Sequence, residues 1–183
     1  MNKYDSLTNI AVTFGDGGEN SSGIGEAAYF IPLSWLATVA KPTIAATSES
    51  VAKITGNHVM KAGKAPILVN ALYDKSGLSW KGGGEKMSKI MEQGGEVFIP
   101  YNSVSNMGSI AVLKNMRGIL LVSKMDDTGH FWQIGSEQIG ATFTDMAGGT
   151  GVGPTGEVGT KLTIQSYGPV GAWSYEGELP VAG

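Results

Sequence analysis

One pattern is written twice in this chain. Ile67-Leu68-Val69, Asp74-Lys75-Ser76-Gly77 and Trp80 are echoed by Ile119-Leu120-Leu121-Val122, Asp126-Asp127-Thr128-Gly129 and Trp132. Each copy is an apolar run, a polar turn and a Trp three residues past the turn glycine. Gly83 and Glu85 follow the first Trp as Gly135 and Glu137 follow the second. Phe30-Ile31-Pro32 and Phe98-Ile99-Pro100 recur as well, each after a Gly-Glu pair. Asp takes turn positions readily and Gly accepts positive φ, so each copy predicts a β-hairpin. A chain of repeated ribbons with no chemistry attached is suited to making surfaces.

Glycine makes up 28 of 183 residues, about twice its usual share, which predicts many short strands and tight turns. Only 16% of residues are charged, so much of the surface must be Gly, Ser, Thr and Asn, as in a protein packed against neighbours. Thiolate metal sites, disulfides and Cys nucleophiles are excluded, because the chain has no Cys. The net charge is −3 and the Lys and Arg residues are scattered, which argues against specific nucleic-acid binding. No apolar run has the length of a signal peptide core or of a membrane span, so the chain reads as soluble and unprocessed.

Residues 1–28, with the run Gly15-Asp16-Gly17-Gly18-Glu19-Asn20-Ser21-Ser22-Gly23, read as an N-terminal arm or loop. Residues 29–177 read as a single β-sandwich or barrel domain with an extended loop at 76–91, and 178–183 as a loose tail. A strand starting at Ala28 is expected to end or bend at Pro32. Glu85 to Met91 suits a short helix or an extended polar segment, stopped at Gly94-Gly95. Ser103 to Met116 is the best helix, with Ser103 or Ser105 placed to cap it. Val104, Met107, Ile110, Ala111 and Leu113 fall near helical spacing and form its expected packing face. Ala147 to Gly159 reads as a long loop. In Lys161 to Tyr167, Leu162, Ile164 and Ser166 alternate with Thr163, Gln165 and Tyr167, as in a half-buried strand. Six to eight short strands with one flanking helix predict a mainly β, antiparallel sandwich or barrel.

No constellation implies an enzyme, a metal or a cofactor. Gly151-Val152-Gly153-Pro154-Thr155-Gly156 matches G-x-G-x-x-G by letters, but a strand follows it where a nucleotide site needs a helix. Ser50-Val51-Ala52-Lys53 lacks the partner motifs that would mark a Ser nucleophile. His58 and His130 are far apart and lack metal-ligand spacing. Asp16, Glu19 and Asn20 lack the ligand order of a calcium loop. Trp35, Trp80, Trp132 and Trp173 read as core or interface residues rather than ligand-stacking ones.

From Glu85 to Gly177 the order of features resembles the phage tail tube (major tail protein) family. Gly84-Glu85 follows an extended loop; Phe98-Ile99-Pro100 ends a strand; Val104 to Met116 is a short helix of small and apolar residues. A strand–turn–strand spans Ile119 to Ile134, followed by Ile134-Gly135-Ser136. Then come the Gly148-Gly149-Thr150-Gly151 loop, the strand Gly159-Thr160-Lys161-Leu162-Thr163-Ile164 and the closing Ser174-Tyr175-Glu176-Gly177.

That resemblance implies a structural protein of the virion, made in the host bacterial cytoplasm and assembled into the phage tail. Its partners would be copies of itself, in rings (commonly hexameric) that stack into a tube, together with other tail proteins. Sheets joined between neighbours would line a lumen through which DNA passes without specific binding. A long loop would reach the next ring, here Trp80, Lys81, Gly82, Gly83, Gly84, Glu85 and Lys86. A capsid decoration or head–tail joining protein is the alternative of the same kind, and a carbohydrate-binding β-sandwich is the alternative of another class.

Overall fold

The computed structural model describes residues 23–43, 47–126, 128–153 and 156–181. Most of the expected arm, together with Asp16, Glu19 and Asn20, lies outside the described residues, as do Asp127 and Pro154-Thr155. The fold is mainly β, with a flanking helix. The strands, in chain order, are β1 Ala27–Pro32, β2 Leu36–Thr38, β3 Lys53–Ile54, β4 Val59–Met60, β5 Ile67–Asn70, β6 Gly77–Gly83 and β7 Ile90–Pro100. They continue as β8 Arg117–Ser123, β9 Phe131–Ile134, β10 Ala141–Gly149, β11 Gly159–Gly168 and β12 Trp173–Tyr175. The short α1 spans Glu49–Ala52 and α2 spans Val104–Leu113.

The sheet forks at β8. Its Gly118–Val122 stretch pairs with β1 along one edge. Leu120–Ser123 pair with β9, while Arg117 and Gly118 pair with the start of β10. One branch continues β9-β12-β3, and the other β10-β11-β7-β6. The run Ile119-Leu120-Leu121-Val122 is buried on both faces, which explains why it is apolar without alternation. Leu120 and Val122 join Phe30, Val97, Ile134 and Ile164 in one core. Ile119 and Leu121 join Ile31, Ile54, Trp173 and Tyr175 in the other.

Only the second of the two expected hairpins forms. β8 and β9 pair antiparallel, from Leu120 opposite Ile134 to Ser123 opposite Phe131. Their turn is held by Thr128, which donates to Asp126 Oδ1 from both its backbone N–H and its hydroxyl, and by Gly129 at φ 73°. In the first copy β5 pairs with β1 and β6 pairs with β7. Between them the Ala71 N–H donates to the Glu26 carbonyl and the Leu72 N–H to the Phe98 carbonyl. The chain therefore passes from the edge of β1 to the edge of β7 where a hairpin was expected, with β5 added to one and β6 to the other.

The Phe-Ile-Pro echo is a structural repeat. Both strands end on their proline, and each proline lies opposite a glycine: Pro32 faces Gly118, and Pro100 faces Gly159. A Cβ at Gly118 would lie 2.7 Å from Phe30 Cζ, and one at Gly159 would lie 2.9 Å from Phe98 Cε1. Each Phe ring thus covers the bare backbone of the glycine diagonal to it, a cross-strand pairing that shields the glycine.

Four other segments differ from expectation. Gly94 and Gly95 terminate no helix; they lie inside β7, where Leu78 Cδ2 fills the space a Gly95 Cβ would need, 2.9 Å away. The loop expected from Ala147 is shortened, because β10 runs to Gly149 and β11 begins at Gly159. The C-terminal segment is tied down as far as it is described: Asn57 accepts from the Glu178 N–H at 3.0 Å, Leu179 packs on the second core and Pro180 is buried. At the other end Ile24 is already buried in the first core, so the folded part starts ahead of residue 29.

A buried polar chain joins the two branches. Gln93 Oε1 accepts from the Gly135 N–H (3.1 Å) and Gln93 Nε2 donates to the Val170 carbonyl (2.8 Å). Gln133 Nε2 donates to the Gly135 carbonyl, and Gln133 Oε1 lies 2.9 Å from His58 Nε2. His58 Nδ1 accepts from the Ala40 N–H at 3.0 Å, so the neutral ring carries its proton on Nε2 and donates it to Gln133. The ring stacks on Tyr175 at 4.7 Å, and the Tyr175 hydroxyl accepts from the His58 N–H and donates to the Glu178 carbonyl.

Burial holds the His58 pKa below its ordinary value of 6.5, outweighing the Gln133 hydrogen bond, which raises it. The unfolded chain takes up this proton more readily than the folded one, so stability is full above about pH 6.5 and falls as the pH drops below it. A melting-temperature profile should be flat above pH 7 and decline below pH 6.5, by at most about 1.4 kcal/mol per pH unit. His58→Gln should flatten the decline; an unchanged slope would assign it to other groups. Gly118→Ala should lower unfolding stability by about 1–3 kcal/mol in a denaturant titration, through overpacking against Phe30 and the Ile31 backbone.

Candidate assembly surface

The segment expected as an extended loop is mostly strand. Trp80, Lys81, Gly82 and Gly83 belong to β6, in register with β7 from Gly77 opposite Glu96 to Gly83 opposite Ile90. The alternation is plain. Leu78 packs toward the first core, and Trp80, two residues on, shares its face. A Cβ at Gly171 would lie 2.6 Å from Trp80 Cδ2, and the Trp132 ring stands 6.4 Å away at 48°. Trp80 therefore closes the cleft between the branches while leaving 52% of its surface exposed. Lys81 points to the opposite face and pairs with Glu92 at 3.0 Å.

Only the tip is loop. Gly84 turns at φ 96°, and the Ser88 N–H donates to the Glu85 carbonyl at 3.0 Å. Lys86 is exposed, and beside it Met87 is 97% exposed with φ 65°. Met87 lies one residue beyond the expected contact set Trp80 to Lys86. Its signal was present: a large apolar residue among Lys86, Ser88 and Lys89 in a turn opened by glycines has nothing local to pack on.

α2 starts where expected, with Ser103 accepting from the Asn106 N–H at 3.0 Å. Its packing face does not match the expected one. Of the five residues only Leu113 is buried, in the first core, and Ile110 is half-buried. Val104 is 84% exposed and Met107 51%, with Ala111 exposed too. Val112, outside the expected face, is 62% exposed. The helix has apolar residues on several sides, carries no charged residue, and fully buries only Leu113. The residues expected to pack are therefore mostly left uncovered by the other described residues.

The branch β10-β11-β7-β6 presents one polar face. Lys81 and Glu92, Lys161 and Glu96 (2.8 Å), and Glu92 with Gln165 pair across its strands. Asp145 lies in the same sheet without an ion pair among the described residues. The two lysines of these strands, Lys81 and Lys161, are each matched by a carboxylate, which lowers their availability to phosphates.

Both edges of this branch are open among the described residues. β6 ends the strand order and has no outer partner. β10 meets β8 only at Ala141 and Thr142, which leaves 143–149 unpaired on that edge, against the 7 residues of β6. The four strands alternate strictly, each antiparallel to the next. The two open edges therefore run in opposite directions.

No group of His, Asp and Glu residues able to hold a metal occurs among the described residues. No described helix is long and apolar enough to cross a membrane. Neither a protein-family model, a curated protein nor a solved structure matches this chain.

Met87 spends backbone energy on a left-handed conformation and makes no buried contact in return. Met87→Gly should raise unfolding stability by up to about 1 kcal/mol in denaturant titration. A loss of stability would show that the side chain packs within its own subunit.

Proposed function

We propose that this chain is a self-assembling structural subunit of the phage tail tube kind, forming closed rings that stack into a tube. The observation that carries this reading is the branch β10-β11-β7-β6, which among the described residues is open at both edges with the edges antiparallel. When one copy is set beside the next, β6 of the first meets β10 of the second in antiparallel pairing. This contact is heterologous and closes into a ring if the rotation closes. Open edges are an aggregation hazard in a monomer and a joint in a ring. The face bearing Lys81, Glu92, Glu96, Asp145 and Lys161 then lines the bore. Its lysines are engaged by carboxylates, so DNA slides past rather than binding.

The site of action under this reading is the virion tail, with copies of the same chain and other tail proteins as partners. Electron microscopy of the purified protein tests it. Tubes or rings of uniform bore are expected, and discrete monomers that bind a glycan would overturn it in favour of a carbohydrate-binding module.

A further inference from the structure

Resting on the stacked-ring reading, we infer that the exposed face of α2, with Tyr101, receives the β6–β7 tip of a second copy stacked end to end. Among the described residues only Met87 and Tyr101 are non-glycine residues in the left-handed region, at φ 65° and 81°. Each costs about 1 kcal/mol or more of backbone strain. Both are large and exposed, at 97% and 69%, so neither strain is offset by burial inside the subunit. Strain of this kind persists where a partner uses the conformation.

Their placement fits a polar stack. β7 is 11 residues long and leaves the tip directly, at Ile90. It ends at Pro100, one residue before Tyr101 and four before the start of α2. At about 3.3 Å per residue, the tip and the α2 N-terminus lie roughly 35 Å apart, at opposite ends of one strand. A stack of identical units repeated by translation needs a knob at one end and its receptor at the other.

The chemistry of the two ends agrees. The knob is an unbranched thioether side chain, which adapts to irregular apolar surfaces. The receptor holds Val104 and Met107, exposed and uncharged, beside a groove of about 320 Å3 floored by Ile99, Leu113 and Leu162. Charge matches as well. Lys86 and Lys89 flank the knob without ion pairs among the described residues. At the receiving end Asp74 likewise has none, and Glu157 is joined only to Lys75. The position of Asp74 follows from its neighbours: the Leu72 N–H donates to the Phe98 carbonyl, and Lys75 Nζ lies 5.5 Å from the centre of the Phe98 ring.

The absence of Cys makes disulfide trapping clean. Met87→Cys and Val104→Cys would be prepared separately, mixed and oxidised, with electron microscopy of the same samples. Both positions are exposed, so neither variant should perturb folding. Disulfide dimer at least tenfold more abundant in the mixture than in either variant alone is expected, and the double variant should give a ladder of oligomers. Tubes without the mixed dimer would overturn the receptor assignment and leave the ring reading intact. A dimer strongest in Met87→Cys alone would mean tip-to-tip contact and overturn it too. The mixed dimer without rings or tubes would support the contact and sink the tube. Neither dimer nor tubes would sink both.

Discussion

Everything in this fold is arranged around a strand that has no solvent side. β8 is buried on both faces over Gly118–Val122 and contacts three other strands. Each of its four large side chains contributes about 2 kcal/mol of burial. More important than the sum is its division: Leu120 and Val122 belong to one core, Ile119 and Leu121 to the other. A register shift by one residue would exchange the two sets, so neither core could form without the other. Gly118 permits the close approach of β1, because the space a Cβ would need there is taken by the Phe30 ring and the Ile31 backbone.

Two cores meeting at a ribbon would still be free to twist against each other. The chain Gln93–Gly135–Gln133–His58 limits that freedom by tying β7, the turn after β9 and the segment before β4 through buried hydrogen bonds. Buried amides lacking partners would cost several kcal/mol; fully paired, they define one relative position of the branches. Both amide groups use their oxygen and their nitrogen here, which explains why polar side chains of that length occur at two completely buried sites. The positioned branch is the one whose open edges and strained tip carry the assembly reading.

Much of the secondary structure was legible. Pro32 and Pro100 end their strands because proline cannot extend a ladder, Ser103 caps α2, and Leu162, Ile164 and Ser166 turn inward while their neighbours turn out. These are local effects, decided within a few residues. The pairing of β5 was not legible. Its sequence matches the first half of a hairpin as well as Ile119–Val122 does, yet β1 captures it and β7 captures β6. Ladder hydrogen bonds are the same between any two strands, so partners are chosen by side-chain packing from far along the chain.

The same division runs through the candidate surfaces. Turn chemistry, capping and alternation act locally, so the mainly β character and the Ser103-capped helix could be read from residue order, whereas 76–91 read as an extended loop and is mostly strand. Long-range packing, which no local signal reports, leaves Val104 and Met107 facing outward, puts Met87 and Tyr101 at opposite ends of β7 and, among the described residues, keeps both edges of one branch open. Periodicity shows that a face is apolar; whether anything covers it depends on which layers remain after the two cores around β8 have taken theirs.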